Sequence, residues 1–327
     1  MSKFTRSNKI IIYGLFFLSI VFAQPLRQVR PEVVGMSSDR LEKITHHMET
    51  YVLNNQLSGG VTLVLRHGKV AYFDAFGYRD TESKDKMEKD DIFRIASQTK
   101  SIISLGIMIL QERGQLLISD PVGKYIPEFN STTVAVKTEV GYKIVPANRK
   151  ITIRDLLSHT AGVGWGFGPG RDQWEKAEIM GWYFAYRDEP IQTTIKRIAT
   201  LPMDAQPGER FVYGLSTDIL GALIEVVSGL SLDHFLDTEI FKPLRMKDTH
   251  FYIPVNKQDR LTTVYSSTDN GISLSPDPGK RIGGGMIGQG HYDIGPQKSF
   301  SGGAGLLSTA EDYATFLQMI LNGGTFN

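Results

Sequence analysis

Residues 97 to 100 read Ser-Gln-Thr-Lys, where the strand-like run Ile92-Phe93-Arg94-Ile95-Ala96 gives way to an apolar stretch from Ile102 to Leu110. A hydroxyl and an amine three residues apart on a helix lie on one face about a turn from each other, so the amine reaches the hydroxyl. That is the chemistry of an activated nucleophile, with Ser97 the candidate nucleophile and Lys100 its activator. A helix beginning at Ser97 also offers partial positive charge and free N–H groups to an acyl oxyanion. The turns after Lys100, with Ile102, Ile103, Leu105, Ile107, Met108, Ile109 and Leu110, are apolar almost all round and so expected to be buried. Burial there disfavours the ammonium form of the lysine.

Chance alone supplies about one Ser-x-x-Lys in a chain of this length and ordinary composition, and this chain holds a second. Ser83-Lys84-Asp85-Lys86 lies inside the charged run from Arg79 to Asp91, which has no apolar periodicity and nothing to desolvate a lysine. Taken alone, residues 97–100 read equally as a capping serine and a snorkelling lysine.

Other residues bear on the same chemistry. Tyr213, in Pro207-Gly208-Glu209-Arg210-Phe211-Val212-Tyr213, precedes a well-formed apolar helix and is placed for the mouth of a cleft. A phenol near a lysine is biased toward its anion and can shuttle a proton, although such tyrosines are also ordinary packing residues. Ser158 and His159 are adjacent and do not face each other, so His159 reads as structural, its ring satisfying turn carbonyls. No Gly-x-Ser-x-Gly elbow occurs. Gly283, Gly285 and Gly288 match a dinucleotide pattern, but the preceding Ser275-Pro276-Asp277-Pro278 is no buried strand. His46 and His47 are helix neighbours without a third ligand at metal spacing, so no metal or other cofactor is called for.

The elements that must position these groups follow from periodicity. A helix is expected over residues 38–54, then a hairpin of Val61-Thr62-Leu63-Val64-Leu65-Arg66 and Lys69 to Gly77 turning at His67-Gly68. From about 101 to 250 the pattern is mostly helical, over 153–158, 191–199, 217–228 and 232–241, with an inserted hairpin within 130–150. Residues 264–303, rich in Gly, Ser, Asp and Pro, read as a long surface connection. A last helix is expected over 310–321, capped near Ser308-Thr309.

The chain has 327 residues, 41% hydrophobic and 22% charged, which excludes disordered and fibrous classes. A basic segment ending at Lys9 precedes an apolar stretch from Ile10 to Ala23, too short for a span of roughly 20 residues but suited to a signal peptide cleaved near Ala23. A periplasmic or secreted protein is expected, with no membrane span once the signal is removed. Losing Lys3, Arg6 and Lys9 takes the formal charge from +1 to −2, which implies no nucleic-acid or polybasic membrane partner. Cysteine is absent, which excludes disulfides, thiol chemistry and lipidation at a mature N-terminal cysteine.

Four blocks in order, Ser97-x-x-Lys100, Leu156 to Gly162, Pro207-Gly208 leading to Tyr213, and Gly302 to Thr309, resemble the serine β-lactamase family over roughly residues 38 to 325. The resemblance is to its class C-like branch, with family VIII carboxylesterases, class C β-lactamases and D-alanyl-D-alanine carboxypeptidases. It implies an α/β (α+β) fold in which an antiparallel sheet flanked by helices meets a mainly helical domain, the site lying in the cleft between them. The sheet domain would comprise residues 24–96 and 297–327, the helical domain 97–296, and the signal peptide 1–23. The resemblance makes Ser97 the nucleophile of an acyl-enzyme, with Lys100 and Tyr213 sharing the base and acid work on a small-molecule ester, lactam or amide. A D-Ala-D-Ala-type peptidase and a non-catalytic homologue binding peptidoglycan or a partner are its alternatives.

Two departures stand out. The family's Tyr-x-Asn reads Tyr213-Gly214-Leu215, which puts a leucine at a substrate-binding position and favours an esterase over an efficient β-lactamase. No Lys-Thr-Gly, or His- or Trp-x-Gly variant, follows Tyr213, so the strand supplying the second oxyanion N–H is expected beyond Asn327, leaving two N-terminal strands and an apolar sheet edge. Loss of one oxyanion donor costs about 10²- to 10³-fold in turnover. The 327-residue chain alone is therefore expected to hydrolyse p-nitrophenyl esters barely or not at all, and brisk Ser97-dependent turnover would refute that expectation.

Overall fold

The computed structural model describes residues 26–282 and 285–325; the segment read as a signal peptide, and Gly283, lie outside the described residues. Ser37 caps α1 (Ser38–Leu53), its Oγ accepting the Arg40 N–H at 3.4 Å. Leu41 and Ile44 of α1 cluster with Val34 and Ala71, which seats the helix on the sheet. In that sheet β1 (Arg27–Gln28) runs parallel to β3 (Lys69–Asp80), and β2 (Gly59–Arg66) runs antiparallel to it, with Leu63 opposite Phe73. His67 and Gly68 turn the hairpin with φ of 52° and 71°, the left-handed pair that suits strand twist. A short β4 (Asp85–Lys86) extends β3, so the N-terminal part gives four strands rather than the expected two.

Beyond the sheet, β5 (Phe93–Arg94) leads into α2 (Thr99–Glu112), and the expected inserted hairpin forms from β6 (Thr133–Thr138) and β7 (Gly141–Pro146). Then come α3 (Ile153–Leu157), α4 (Arg171–Lys176), α5 (Ile191–Ala199), α6 (Ser216–Ser228), α7 (Leu232–Leu236) and α8 (Lys242–Leu244). The main core is built where α2 crosses α6. Ile102, Ile103 and Ile107 of α2 and Ile219, Leu220 and Leu223 of α6 are wholly buried, each stabilising by about 1.5–3 kcal/mol relative to exposure. Gly106 lets the two helices approach, since a Cβ there would lie 2.9 Å from Ile224 Cδ1.

Residues 264–303 are not the surface connection that their composition predicts. They form two hairpins, β8 (Tyr265–Thr268) with β9 (Gly271–Leu274) and β10 (Lys280–Ile282) with β11 (Gly285–Ile287). The strand Tyr-Ser-Ser-Thr is too polar on both faces to show an alternation. The stretch then dives inward, with Ser299, Ser301, Ala304 and Leu306 buried, and reaches β12 (Leu307–Ser308), which pairs antiparallel with β5 ahead of α9 (Ala310–Leu321). Thr309 caps α9 by accepting the Asp312 N–H at 3.1 Å.

One ionic knot organises the loops behind Tyr213. Asp155 Oδ2 accepts the Thr152 N–H at 2.8 Å as part of a capping box, while the Arg149 guanidinium grips both its oxygens at 2.7 and 2.8 Å. Thr160 donates its hydroxyl to the same carboxylate at 3.3 Å and its carbonyl receives the Gly208 N–H at 2.8 Å, which ties the turn before Tyr213 to the end of α3. Burial alone would raise the Asp155 carboxyl, yet Arg149 and Thr152 hold it at about 2. Its folded value lies below the ordinary 3.8, so the stabilisation is present above pH 4 and lost as pH falls toward 2, a change of about 2 kcal/mol in urea unfolding. Asp155→Ala is expected to cost about 3 kcal/mol at neutral pH and to flatten that acid dependence.

Candidate active site

Ser97 sits in a single tight turn, Ala96–Gln98, between β5 and α2. Ala96 holds φ at +44°, a left-handed conformation that L residues rarely adopt, so the chain bends sharply just before the serine. The bend is braced on both sides. The Ile95 N–H donates to the Leu306 carbonyl at 3.0 Å, and the Leu306 N–H to Thr99 Oγ1 at 3.1 Å. Ser97 is left exposed on the surface of a cavity, and Lys100, in the first turn of α2, is half-buried beside it.

The spacing read in the sequence becomes contact here. Lys100 Nζ donates to Ser97 Oγ at 3.2 Å and to the Gly303 carbonyl at 2.7 Å, and lies 4.8 Å from the centre of the Tyr213 ring. Burial would raise the Tyr213 phenol, but Ser97, Lys100 and the lysine's charge outweigh it and draw the phenol below its ordinary 10. The ring is fenced by aromatics: Trp165 meets it edge-on at 5.3 Å, Phe211 stacks at 6.3 Å and His159 tilts against it at 4.9 Å. A hydroxyl, an amine and a phenol inclined to ionise thus converge on one point.

Two site expectations are corrected. Leu215 does not present itself to a substrate: it is 0% exposed within the main core, at the residue that precedes α6, and is absent from the cavity lining. His159 does not satisfy turn carbonyls with its ring; Nδ1 has no hydrogen-bond partner among the described residues, and the ring instead backs Tyr213. Its left-handed backbone, with φ of +54°, makes the turn, and its own carbonyl receives the Val212 N–H at 2.7 Å. The competing tetrad stays apart, Ser83 being an exposed turn residue whose Oγ donates to Asp80 at 3.2 Å.

Ser97 and Lys100 open on a cavity of about 130 Å³, walled by Trp165 and Trp182 and floored by Asp218 and Gly303. Larger hollows of about 450 and 320 Å³ lie elsewhere, so volume alone does not select this site; its chemistry does. Trp165, Trp182 and Asp218 carried no sequence signal beyond their types. Asp218 had the most to show, as an acid at the head of the apolar stretch Ile219-Leu220-Gly221-Ala222-Leu223. Among the described residues no group of three or more metal-ligating side chains is assembled.

A family model described as Beta-lactamase matches residues 42–327. An uncharacterized protein of Mycobacterium tuberculosis is 32% identical over 275 residues, covering 82% of this chain and 63% of its own length. Esterase EstB of Burkholderia gladioli is 29% identical, covering 81% of this chain and 66% of its own length. The chain therefore spans a little under two thirds of the length of these relatives. Among solved structures, EstCE1, titled a hydrolase with promiscuous acyltransferase activity, superposes with a TM-score of 0.70 at 28% identity, over 88% of this chain and 74% of that one. The mixed α/β fold is the β-lactamase/transpeptidase-like one, although β1 pairs parallel with β3 where an antiparallel sheet was expected.

The burial of His159 and the nearby charge of Lys100 both push its imidazole below the ordinary 6.5. It is expected to be neutral at pH 7 and, by NMR, to titrate below that value. Lys100→Met should move the titration upward by removing the neighbouring cation, and an unmoved midpoint would refute the contact.

Proposed function

The chain belongs to the beta-lactamase family, and from that premise we propose that the whole protein is an exported serine hydrolase that forms an acyl-enzyme at Ser97 and hydrolyses small, uncharged acyl esters. The observation that carries this reading is Lys100 Nζ lying 3.2 Å from Ser97 Oγ beneath the Tyr213 ring. Ser97 Oγ attacks the acyl carbon as its proton passes to the Lys100–Tyr213 pair. The tetrahedral intermediate collapses, the C–O bond to the alcohol breaks, and the pair returns the proton to the departing oxygen. Water then gives a proton to the same pair as it adds to the acyl carbon, the bond from that carbon to Ser97 Oγ breaks to release the carboxylic acid, and the pair returns the proton to Ser97 Oγ.

The cavity sets the acyl size. Its small volume of about 130 Å³ between Trp165 and Trp182 favours short acyl chains over long ones. The esterase name of one relative and the hydrolase title of a structural neighbour support an ester substrate. So does the burial of Leu215, which leaves no side chain at that position to hold a lactam's amide arm. Export rests on the basic, apolar and small-residue order of residues 1–23.

The test is kinetics of the whole protein on p-nitrophenyl esters from acetate to octanoate, beside nitrocefin and an acyl-D-Ala-D-Ala peptide. kcat/KM should peak at two to four acyl carbons and fall by about 10⁴-fold or more in Ser97→Ala. Tyr213→Phe should lose about 10²- to 10³-fold, mostly in kcat. Preference for the dipeptide would replace the esterase reading with a peptidase one. Failure of a fluorophosphonate to label Ser97 would replace both with a binding protein.

A further inference from the structure

Asp218 is the only acidic side chain among the described residues that lines the Ser97 cavity. It stands in the first turn of α6 and is 1% exposed, next to the wholly buried Ile219 and Leu220. A carboxylate so placed is strongly disfavoured unless donors surround it, and donors do. Its Oδ1 accepts the Ser301 hydroxyl at 2.6 Å and the Gly303 N–H at 3.0 Å. A Cβ on Gly303 would lie 2.3 Å from the Asp218 Oδ2, so only glycine lets the backbone pass this close to the acid.

Gly303 is also held from its other side, its carbonyl accepting Lys100 Nζ at 2.7 Å. The remaining contacts of Lys100 are Ser97 Oγ and the face of Tyr213. One backbone residue thus bridges the buried acid and the amine that serves the nucleophile.

We propose that Asp218 is a positioning residue for Lys100: by anchoring the Gly303 backbone it fixes the carbonyl that holds Lys100 Nζ against Ser97 Oγ, and its negative charge balances the Lys100 ammonium at the cavity floor. The inference rests on the reading of Ser97 as the nucleophile. It differs from that reading in assigning a role to a group that neither attacks nor carries the proton.

The charge has a measurable consequence. The titratable groups that face Lys100 and Tyr213, besides each other, are His159 from the loop after α3 and Asp218 from α6. Burial pushes the Asp218 carboxyl up, opposed by Ser301, the Gly303 N–H and Lys100. Burial and Lys100 keep His159 low, so it contributes no charge at neutral pH. An ionised Asp218 therefore makes Tyr213 harder to deprotonate, and its removal makes it easier.

The experiment follows the rate of Ser97 labelling by a fluorophosphonate against pH, using intact mass on the whole protein. Asp218→Asn keeps an oxygen for Ser301 and the Gly303 N–H, and should move the acid limb to lower pH by about one unit. Asp218→Ala removes the anchor and should slow labelling at the optimum by about 10²-fold. An Asp218→Asn profile that superposes on the parent's overturns the proposal. Where circular dichroism shows the Asp218 variants unfolded, Ser301→Ala decides, because it deletes one donor and keeps the charge: labelling slowed about fivefold or more supports the proposal, and labelling at the parent rate overturns it. If the parent itself fails to label, the acyl-enzyme reading falls. Asp218 is then judged by the ¹³Cζ titration of Tyr213, assigned with Tyr213→Phe, which Asp218→Asn should lower and which refutes the proposal by staying put.

Discussion

Helix α2 crosses α6 at Gly106, where the missing side chain lets Ile224 come within 2.9 Å of the Cβ position, and this crossing brings the first turns of both helices to one cavity. The first turn of α2 carries Lys100 just after Ser97, and that of α6 carries Asp218 just after Tyr213. Neither pair is adjacent to the other in sequence, and the contact between them is created by the apolar faces behind them. Ile102, Ile103 and Ile107 of α2 and Leu220 and Leu223 of α6 are wholly buried, so the helices cannot slide without opening voids, each lost methylene costing about 1 kcal/mol. The stretch from Ser301 to Leu307 then fills the angle between them and presents the Gly303 carbonyl to Lys100.

Convergent helix starts also set the electrostatics. Each contributes partial positive charge to the same small volume, which favours the Asp218 carboxylate and any oxyanion developing on an acyl group at Ser97. The Lys100 amine in the same volume is held by the Gly303 carbonyl and the face of the Tyr213 ring. The site is therefore neither acidic nor basic as a whole: one amine, one buried acid, and a phenol drawn below 10.

Sequence periodicity was enough to place α1, the β2–β3 hairpin, α2, the β6–β7 hairpin and α9, because each shows an apolar face or a turn dipeptide with a single reading. It failed for β8 to β11, whose polar strands pair in a loop-like composition and are recognisable only from their register. Within the site, Ser97 and Lys100 were legible because their contact is local to one turn. Tyr213 needed the order of distant blocks to support it. Leu215 was misjudged because a linear motif does not say which side of a helix start a residue occupies, and here that side is the core. Asp218 and Gly303 were illegible, since their meaning is a contact across 85 positions of sequence.

The aromatic neighbours of the partly exposed Tyr213 bear on what the site can accept. Its ring is packed by His159, Trp165 and Phe211, and the loop carrying it is tied through His159, Thr160 and Gly208 to the Asp155–Arg149 knot. On the proposed reading, a phenol braced by these rings would exchange a proton with Ser97 or Lys100 with little reorganisation, the condition under which fixed dipoles assist a reaction most. The same packing brings Trp165 to the cavity wall, so on the proposed reading the group beside the proton carrier would also limit the acyl chain. An anionic acyl group would meet Asp218 as well as Lys100 and gain little from the site's charges, whereas an uncharged one would gain the apolar walls. On that reading, proton handling and substrate size would be coupled through a single aromatic cluster, and a change in Trp165 should be felt in both.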